Sequence, residues 1–236
     1  MISHAIVALV VFFGALLLLS YPLGLGLARI GDSAPFPGLA GAAERILYRL
    51  AGVRPDEEMS WIRYAGSLLA FNGAGFLLVY LIQRLQAWLP FNPDAMGNVS
   101  PDLAFNTAVS FVTNTNWQAY SGESAMSHLT QMAALTVQNF VSSATGLAVA
   151  FALMRGFARR ASAGLGSFWV DLCRGTLWVL LPLSVVLAAL LMGQGVIQNL
   201  SAHRDVRLIE PLTYGAPQGA ETTKTQSIAM GPVASQ

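Results

Sequence analysis

The stretch SPDLAFNTAVSFVTNTNWQ, residues 100–118, falls into two halves that make opposite demands on their surroundings. Ser100-Pro101-Asp102 is a helix start: a hydroxyl able to cap, a proline whose missing N–H costs nothing at the first position, and an acid near the positive helix end. Leu103, Ala104, Phe105, Ala108, Val109, Phe111 and Val112 then suit an apolar medium. A helix over 101–113 reaches only ~20 Å, roughly half a membrane. Thr113-Asn114-Thr115-Asn116-Trp117-Gln118 stops it, because these amides and hydroxyls compete with helical hydrogen bonding. The backbone is then non-helical at membrane depth. That is tolerated only where protein buries it or a watery pathway runs beside it, since an unsatisfied backbone group in lipid costs several kcal/mol. The segment between Leu89 and Thr130 therefore reads as a re-entrant hairpin.

That the medium is a bilayer follows from composition. The chain has 236 residues, 54% hydrophobic and 11% charged, with a mean hydropathy of +0.54, against roughly 25% charged in soluble domains. A soluble globular enzyme is excluded, and a net charge of +1 argues against a nucleic-acid partner. The single cysteine, Cys173, excludes an internal disulfide and reads as a buried apolar filler. Four stretches approach the length of a membrane span: Ile2 to Leu27, Tyr64 to Leu85, Ala133 to Met154 and Gly175 to Met192. The first has no Lys or Arg before it and no Ala-x-Ala site, so it reads as a retained helix and not a signal peptide. Arg29, Arg45, Arg49, Arg54 and Arg63, with Arg155, Arg159, Arg160 and Arg174, mark the cytoplasmic side. The N-terminus is then extracytoplasmic. Residues after Gln194 lie outside the membrane, where Pro211, Gly215, Pro217 and Gly219 read as irregular loop. Met230-Gly231-Pro232-Val233-Ala234-Ser235-Gln236 reads as a second turn and proline opening a helix, as Ser100-Pro101 does.

A half-helix points its negative end and free carbonyls toward the membrane centre, which suits a cation that has shed water. Carboxylate cages of the kind that bind Ca²⁺ or Mg²⁺ are missing. Two readings of the 113–118 run stay open: an element of an ion filter, or a loop that only packs. One half-helix cannot enclose an ion, so a filter needs further units, from copies of the chain or from further sequence. Gln131, Gln138, Ser142 and Thr145 are spaced to share one helical face, as a cavity lining or as interhelical hydrogen-bonders. Gly73 and Gly75, beside Asn72, read as sites of close approach for the half-helix. Glu123 is a candidate acid at the outer mouth, or a solvated loop residue. His4, His128 and His203 lie in different segments without metal-ligand spacing, so no transition-metal site is expected. No Walker A sequence or nucleophile elbow is present, so no catalytic site is expected in this chain.

The run Phe105-Asn106-Thr107-Ala108-Val109-Ser110-Phe111-Val112-Thr113-Asn114-Thr115-Asn116-Trp117-Gln118 closely resembles the potassium-transporting ATPase A chain family, KdpA. So do Tyr120-Ser121-Gly122-Glu123 and Leu135-Thr136-Val137-Gln138-Asn139-Phe140. Tyr21-Pro22-Leu23-Gly24, Gly26-Leu27-Ala28-Arg29, Trp169-Val170-Asp171-Leu172 and the Met230 to Gln236 run extend the likeness over nearly the whole sequence. The resemblance implies an all-α polytopic membrane protein of the potassium-channel-like superfamily, with four pore-loop repeats in one longer chain. Only the first repeat is whole here, as in an N-terminal part of such a chain. It implies that Thr113, Asn114, Thr115, Asn116, Trp117 and Gln118 form the first K⁺ filter segment. It implies further that K⁺ passes to a P-type ATPase B chain that uses the ATP, with a C chain completing a complex in the cell inner membrane. Potassium is then the only cofactor, with no organic group, and membrane lipid surrounds the chain. A non-transporting membrane scaffold and a homo-oligomeric cation channel are the alternatives.

The corresponding division is an N-terminal span and cytoplasmic loop over 1–63, a pore repeat over 64–155, and a cytoplasmic loop with the fourth span over 156–193. An extracytoplasmic segment over 194–236 follows, leading to the start of a second pore helix.

Overall fold

The structure, a computed structural model, describes residues 2–31, 38–159, 164–214 and 221–235. Met1, Arg160, Gly215, Pro217, Gly219 and Gln236, which figure in the readings above, lie outside the described residues, as does the side chain of His4.

Eight helices and one hairpin make up the described residues: α1 Ile2–Gly31, α2 Gly38–Leu50, α3 Trp61–Leu85, α4 Pro101–Val112, α5 Gly122–Ala125, α6 Val137–Ala158, α7 Phe168–Arg174 and α8 Leu181–Gly193, then strands β1 Arg204–Tyr214 and β2 Glu221–Ile228. π-helical turns at Thr130–Thr136 and Gly175–Leu180 join α6 and α7–α8 into longer rods. Among the described residues four helices are long and apolar enough to cross a membrane: Ala5–Gly31, Trp61–Trp88, Thr130–Ala158 and Phe168–Gly193. The last three contain their expected apolar stretches, α1 as a whole contains Ile2 to Leu27, and all four helices extend into less apolar ends. α1 runs through Pro22 unbroken. α4 begins at Pro101 and ends within one residue of its expected stop, so at 1.5 Å per residue it spans ~18 Å.

Three expectations are corrected. Ser100 stands at the N-cap of α4, but its hydroxyl makes no cap bond; its carbonyl accepts from Ala104 at 2.9 Å. Cys173 is only partly buried. The segment after Gln194 is not all irregular, because β1 and β2 pair antiparallel from Arg204↔Ile228 to Tyr214↔Glu221. Pro211 sits in β1 where the register slips between Arg207 and Leu212, a bulge in which its missing N–H breaks no ladder bond. The closing proline-led run forms a short 3₁₀ turn, Val233–Ser235, whose Ala234 N–H bonds Ile197 O at 3.0 Å.

The chain forms two compact units, Met1–Leu68 with Ala144–Leu181 and Leu69–Ser143 with Pro182–Gln236. In the first, two buried ion pairs hold helix ends. Arg174 meets Glu44 at 3.2 Å, both side chains at most 4% exposed, and Trp178 Nε1 donates to the same carboxylate at 2.8 Å. Arg155 pairs with Asp171, whose other oxygen accepts from Tyr64 Oη at 2.9 Å. The same two arginines reach the last carbonyls of α1, Arg155 Nε to Gly31 at 3.2 Å and Arg174 Nη1 to Ile30 at 3.5 Å. They thereby satisfy groups that a helix end leaves open. A Cβ on Gly31 would stand 2.9 Å from the Phe151 ring, so only glycine permits this approach of α1 to α6.

In the second unit α4 packs on α3 and the Thr130–Thr136 turn through Val79, Ala104, Ala108, Phe111, Ala134 and Leu135. Among the described residues its buried polar side chains include no Asp, Glu, Lys or Arg. Gln86, fully buried, donates to the carbonyls of Gly97 (2.5 Å) and Ala125 (2.8 Å) and accepts from Ser127 N (3.1 Å) and Thr130 Oγ1 (2.9 Å). One side chain thus ties the segment before the half-helix to the 125–130 stretch after it.

Candidate ion-binding loop

The end of α4 is built from Ser110. Its carbonyl accepts the N–H groups of Thr115 (3.0 Å) and Asn116 (3.2 Å), and its hydroxyl donates to Trp117 O at 2.9 Å. The chain turns back over the last helical turn instead of continuing. Thr113 Oγ1 adds bonds to Val109 O at 3.0 Å and Ser110 O at 3.2 Å. Asn114 and Asn116 adopt φ of 57° and 55°, while Thr113 and Thr115 between and before them do not enter this region. Asparagine tolerates the left-handed region better than other side chains with a Cβ, which explains the alternation of Thr and Asn.

Two consequences follow for the oxygens. Trp117 O is taken by Ser110, whereas among the described residues no donor reaches the carbonyls of Thr113, Asn114, Thr115 or Asn116. All six residues from Thr113 to Gln118 are exposed, and none is charged. The loop therefore presents consecutive free carbonyls and no fixed countercharge. Its shape is held by side chains from the start of α6: Asn116 Nδ2 donates to Asn139 Oδ1 at 2.8 Å, and Ser142 and Ser143 donate to Asn114 Oδ1 at 3.3 and 3.4 Å. Gln118 Nε2 reaches Tyr120 Oη at 3.1 Å.

The four residues expected on one face of the third span are not placed alike. The π turn interrupts the 3.6-residue spacing after Gln131, whose amide donates to Gly122 O (3.3 Å) and Met126 O (3.0 Å). Gln138 is buried against Gly75, where any Cβ would clash with its amide. Gly75 thus makes room for the third span and not for the half-helix, and Gly73 faces open space. Ser142 supports the loop, and Thr145 is buried within the other unit. Glu123 is exposed in α5. His128 and His203, distant in sequence, lie with ring centroids 6.5 Å apart; His128 Nε2 meets Ser201 O at 2.9 Å, and His203 N donates to Asp94 Oδ1 at 2.9 Å. Sequence reasoning missed Ser110, Asn139 and Ser143. Ser110 alone left a signal, a lone hydroxyl one turn before the polar stop.

Four apolar rods, with an uncharged, oxygen-presenting loop at the end of a half-length helix, define a polytopic α-helical membrane protein. The chain belongs to the KdpA family, the potassium-transporting ATPase A subunit, whose family model matches residues 10–236. Among curated relatives it is 57% identical to the potassium-transporting ATPase potassium-binding subunit of Herminiimonas arsenicoxydans over 258 aligned residues, covering 100% of this chain and 42% of the relative. It is 56% identical to the protein of that name from Janthinobacterium sp. (strain Marseille), over 100% of this chain and 42% of the relative. With that from Herpetosiphon aurantiacus it shares 50% identity, over 100% and 40% respectively. The chain spans about two fifths of the length of these relatives. Family membership and the four long apolar helices together mark a multi-pass membrane protein.

Proposed function

We propose that residues 113–118 form one K⁺-selecting segment of the potassium-binding subunit of an ATP-driven importer. The carbonyls of Thr113, Asn114, Thr115 and Asn116 would replace water around the ion, and Gln118 would supply an amide oxygen. The observation that supports this most is the run of four carbonyls left without donors on a backbone of alternating φ sign. In a medium without water such groups are costly unless a cation takes them. Further loops of the longer chain complete the ring, and Gln131, Gln138, Ser142 and Thr145 remain candidates for the lining below it, with Glu123 at the mouth. On this reading K⁺ moves on to a P-type ATPase B chain that spends the ATP, with a C chain in the same complex. This chain supplies no catalytic group and needs no organic cofactor. The assembly sits in the inner membrane with the N-terminus of this chain outside, and the pore repeat covers 64–155.

K⁺-stimulated ATP hydrolysis by the full assembled complex tests this. Gln118→Ala is expected to raise the K⁺ concentration for half-maximal rate with little change in the maximum. Asn116→Gly keeps the backbone preference and is expected to shift the curve less than Asn116→Val, whose β-branched side chain resists φ near 55°. Unshifted curves for all three would sink the assignment. The bonds from Asn139, Ser142 and Ser143 to the loop favour one competing reading, a scaffold whose loop only packs. It expects assembly without specific K⁺ or Rb⁺ binding by the loop.

A further inference from the structure

The 113–118 loop is joined to α4 through its backbone and to α6 through side chains. Asn116 takes part in both: its N–H donates to Ser110 O at 3.2 Å, and its Nδ2 donates to Asn139 Oδ1 at 2.8 Å, across 23 residues of chain. Asn114 is tied to α4 by its own N–H, on Phe111 O at 3.2 Å. Its Oδ1 stands 3.3 Å from Ser142 Oγ and 3.4 Å from Ser143 Oγ.

These two links to α6 differ in firmness. A serine hydroxyl carries a single hydrogen. For both serines the nearer acceptor is Asn139 O, 3.1 Å from Ser142 Oγ and 2.9 Å from Ser143 Oγ, the return to the preceding turn that helical hydroxyls favour. Asn114 Oδ1 therefore receives only a shared bond. The Asn116 amide nitrogen has two hydrogens, and among the described residues its other acceptor, Asn114 Oδ1, is distant at 3.5 Å. The bond to Asn139 is thus the firm connection between the loop and α6.

Its position gives it leverage. Asn116 closes the run of carbonyls, Thr113 to Asn116, that no donor reaches among the described residues, and it holds φ of 55°. Asn139 is the third residue of α6, a rod of 22 residues, so the bond fixes the loop against an element that does not bend with it. An amide is planar: with Nδ2 on Asn139, Oδ1 is turned the other way, and the group cannot rotate to offer its N–H donors to a cation. A loop pinned on α4 alone would be free to close around a smaller ion. Resting on the reading of 113–118 as a K⁺-selecting segment, we propose that Asn139 is a positioning residue for ion choice. By holding the Asn116 amide it keeps the carbonyl run at a fixed stand-off from α6, which suits K⁺ and not Na⁺.

ATP hydrolysis by the full assembled complex, titrated with K⁺ and separately with Na⁺, tests the brace through the ratio of the two half-maximal concentrations. Asn139→Leu is expected to lower that discrimination about fivefold, the effect of one lost neutral hydrogen bond, with little change in the maximal K⁺ rate. Asn116→Gly removes the same bond from the loop side while tolerating the backbone, and is expected to lose as much. The double variant should lose no more than either single one. Asn139→Asp keeps an acceptor for Asn116 Nδ2; its charge tightens both cations alike, so the ratio stays near the parent's. A residue that served stability alone would lower the yield of complex or the maximal rate and leave the ratio intact. Parental discrimination in Asn139→Leu, additive losses in the double variant, or an Asn139→Asp no better than Asn139→Leu would each overturn the brace. Should Asn139→Leu fail to assemble, Asn116→Gly and Asn139→Asp still decide it: parental discrimination in the first or its loss in the second overturns the brace. Failure of the loop reading has another pattern, in which Gln118→Ala and Asn116→Val also leave the K⁺ curve unshifted.

Discussion

The first unit of the chain buries charge, and the second buries amides. Arg174 with Glu44 and Arg155 with Asp171 lie in the unit that holds α1, α2 and α7. Gln83, Gln86 and Asn139 serve the unit that holds the half-helix and its loop. Both devices fix backbone segments that cannot fix themselves, since each arginine and each glutamine ends on main-chain carbonyls. They differ in what they leave in the surroundings. An ion pair sheds a large desolvation cost into its geometry and leaves a full charge whenever one partner is lost. An amide offers two donors and an acceptor with no net charge, so it shapes a loop without setting up a field of its own. A loop whose carbonyls are to meet a cation keeps those carbonyls dominant only if nothing charged stands near. The absence of a charged residue from Thr113 to Gln118 is consistent with that division.

The comparison breaks if the two devices prove equally costly to remove. Arg174→Met strands Glu44, 3% exposed, without its charge partner, and is expected to cost about 3–5 kcal/mol. Adding Glu44→Gln removes the orphaned charge while keeping an acceptor for Trp178 Nε1, so the double variant should recover most of the loss. Thermal unfolding of the full-length protein in detergent reads both. A double variant no better than Arg174→Met would mean that packing, not charge, carries the effect.

Gln86→Leu sharpens the other side. It strands two carbonyls, one N–H and one hydroxyl that Gln86 now satisfies, at an expected cost of about 2–4 kcal/mol. Gln83→Leu serves as its internal scale. Gln83 makes two donor bonds while its Oε1 has no partner, so the expected loss is only about 1 kcal/mol. The same unfolding measurement ranks the pair, and a larger loss at Gln83 would contradict the hub role of Gln86.

The half-helix and its stop were readable because one short segment carries start, body and end. Ser100-Pro101-Asp102 needs no distant partner to start a helix, and Thr113-Asn114 needs none to end one. The four spans were readable for the same reason, though their ends were not: Trp61, Thr130 and Phe168 lie in helix beyond the apolar stretches. The role of Gln86 was not readable, since its partners at 97, 125, 127 and 130 follow it through loops whose path no local pattern states. The approach of His128 to His203 was hidden in the same way. The hairpin was masked by Pro211, which reads as a strand breaker until the bulge that accommodates it is seen. At the candidate ion-binding loop the residue types pointed to the loop. The clamp from Asn139 and Ser143 depends on where α6 starts, and a π turn shifts that start in a way the 3.6-residue spacing cannot anticipate.

The smallest effect belongs to an exposed member of the charged set. Glu58 bonds to Arg159 at 2.8 Å, with its side chain 47% exposed. Hydrogen bonding from Arg159 holds its carboxyl below the usual 4.5, outweighing partial burial, and the Gly166 N–H pulls the same way. A carboxyl lowered in the folded state binds its proton more readily once unfolded, so the pair stabilises the fold above pH ~4.5, and that contribution is lost as pH falls through the lower folded value. The stability difference between the parent and Glu58→Gln should therefore be present at neutral pH and shrink to nothing on acidification below the folded value. It should also shrink with added salt, because so open a pair is screened. Unfolding midpoints across that pH range check it. A difference that grew on acidification would mean that Glu58 is held by burial and not by Arg159, and that the line between charged and neutral devices runs elsewhere.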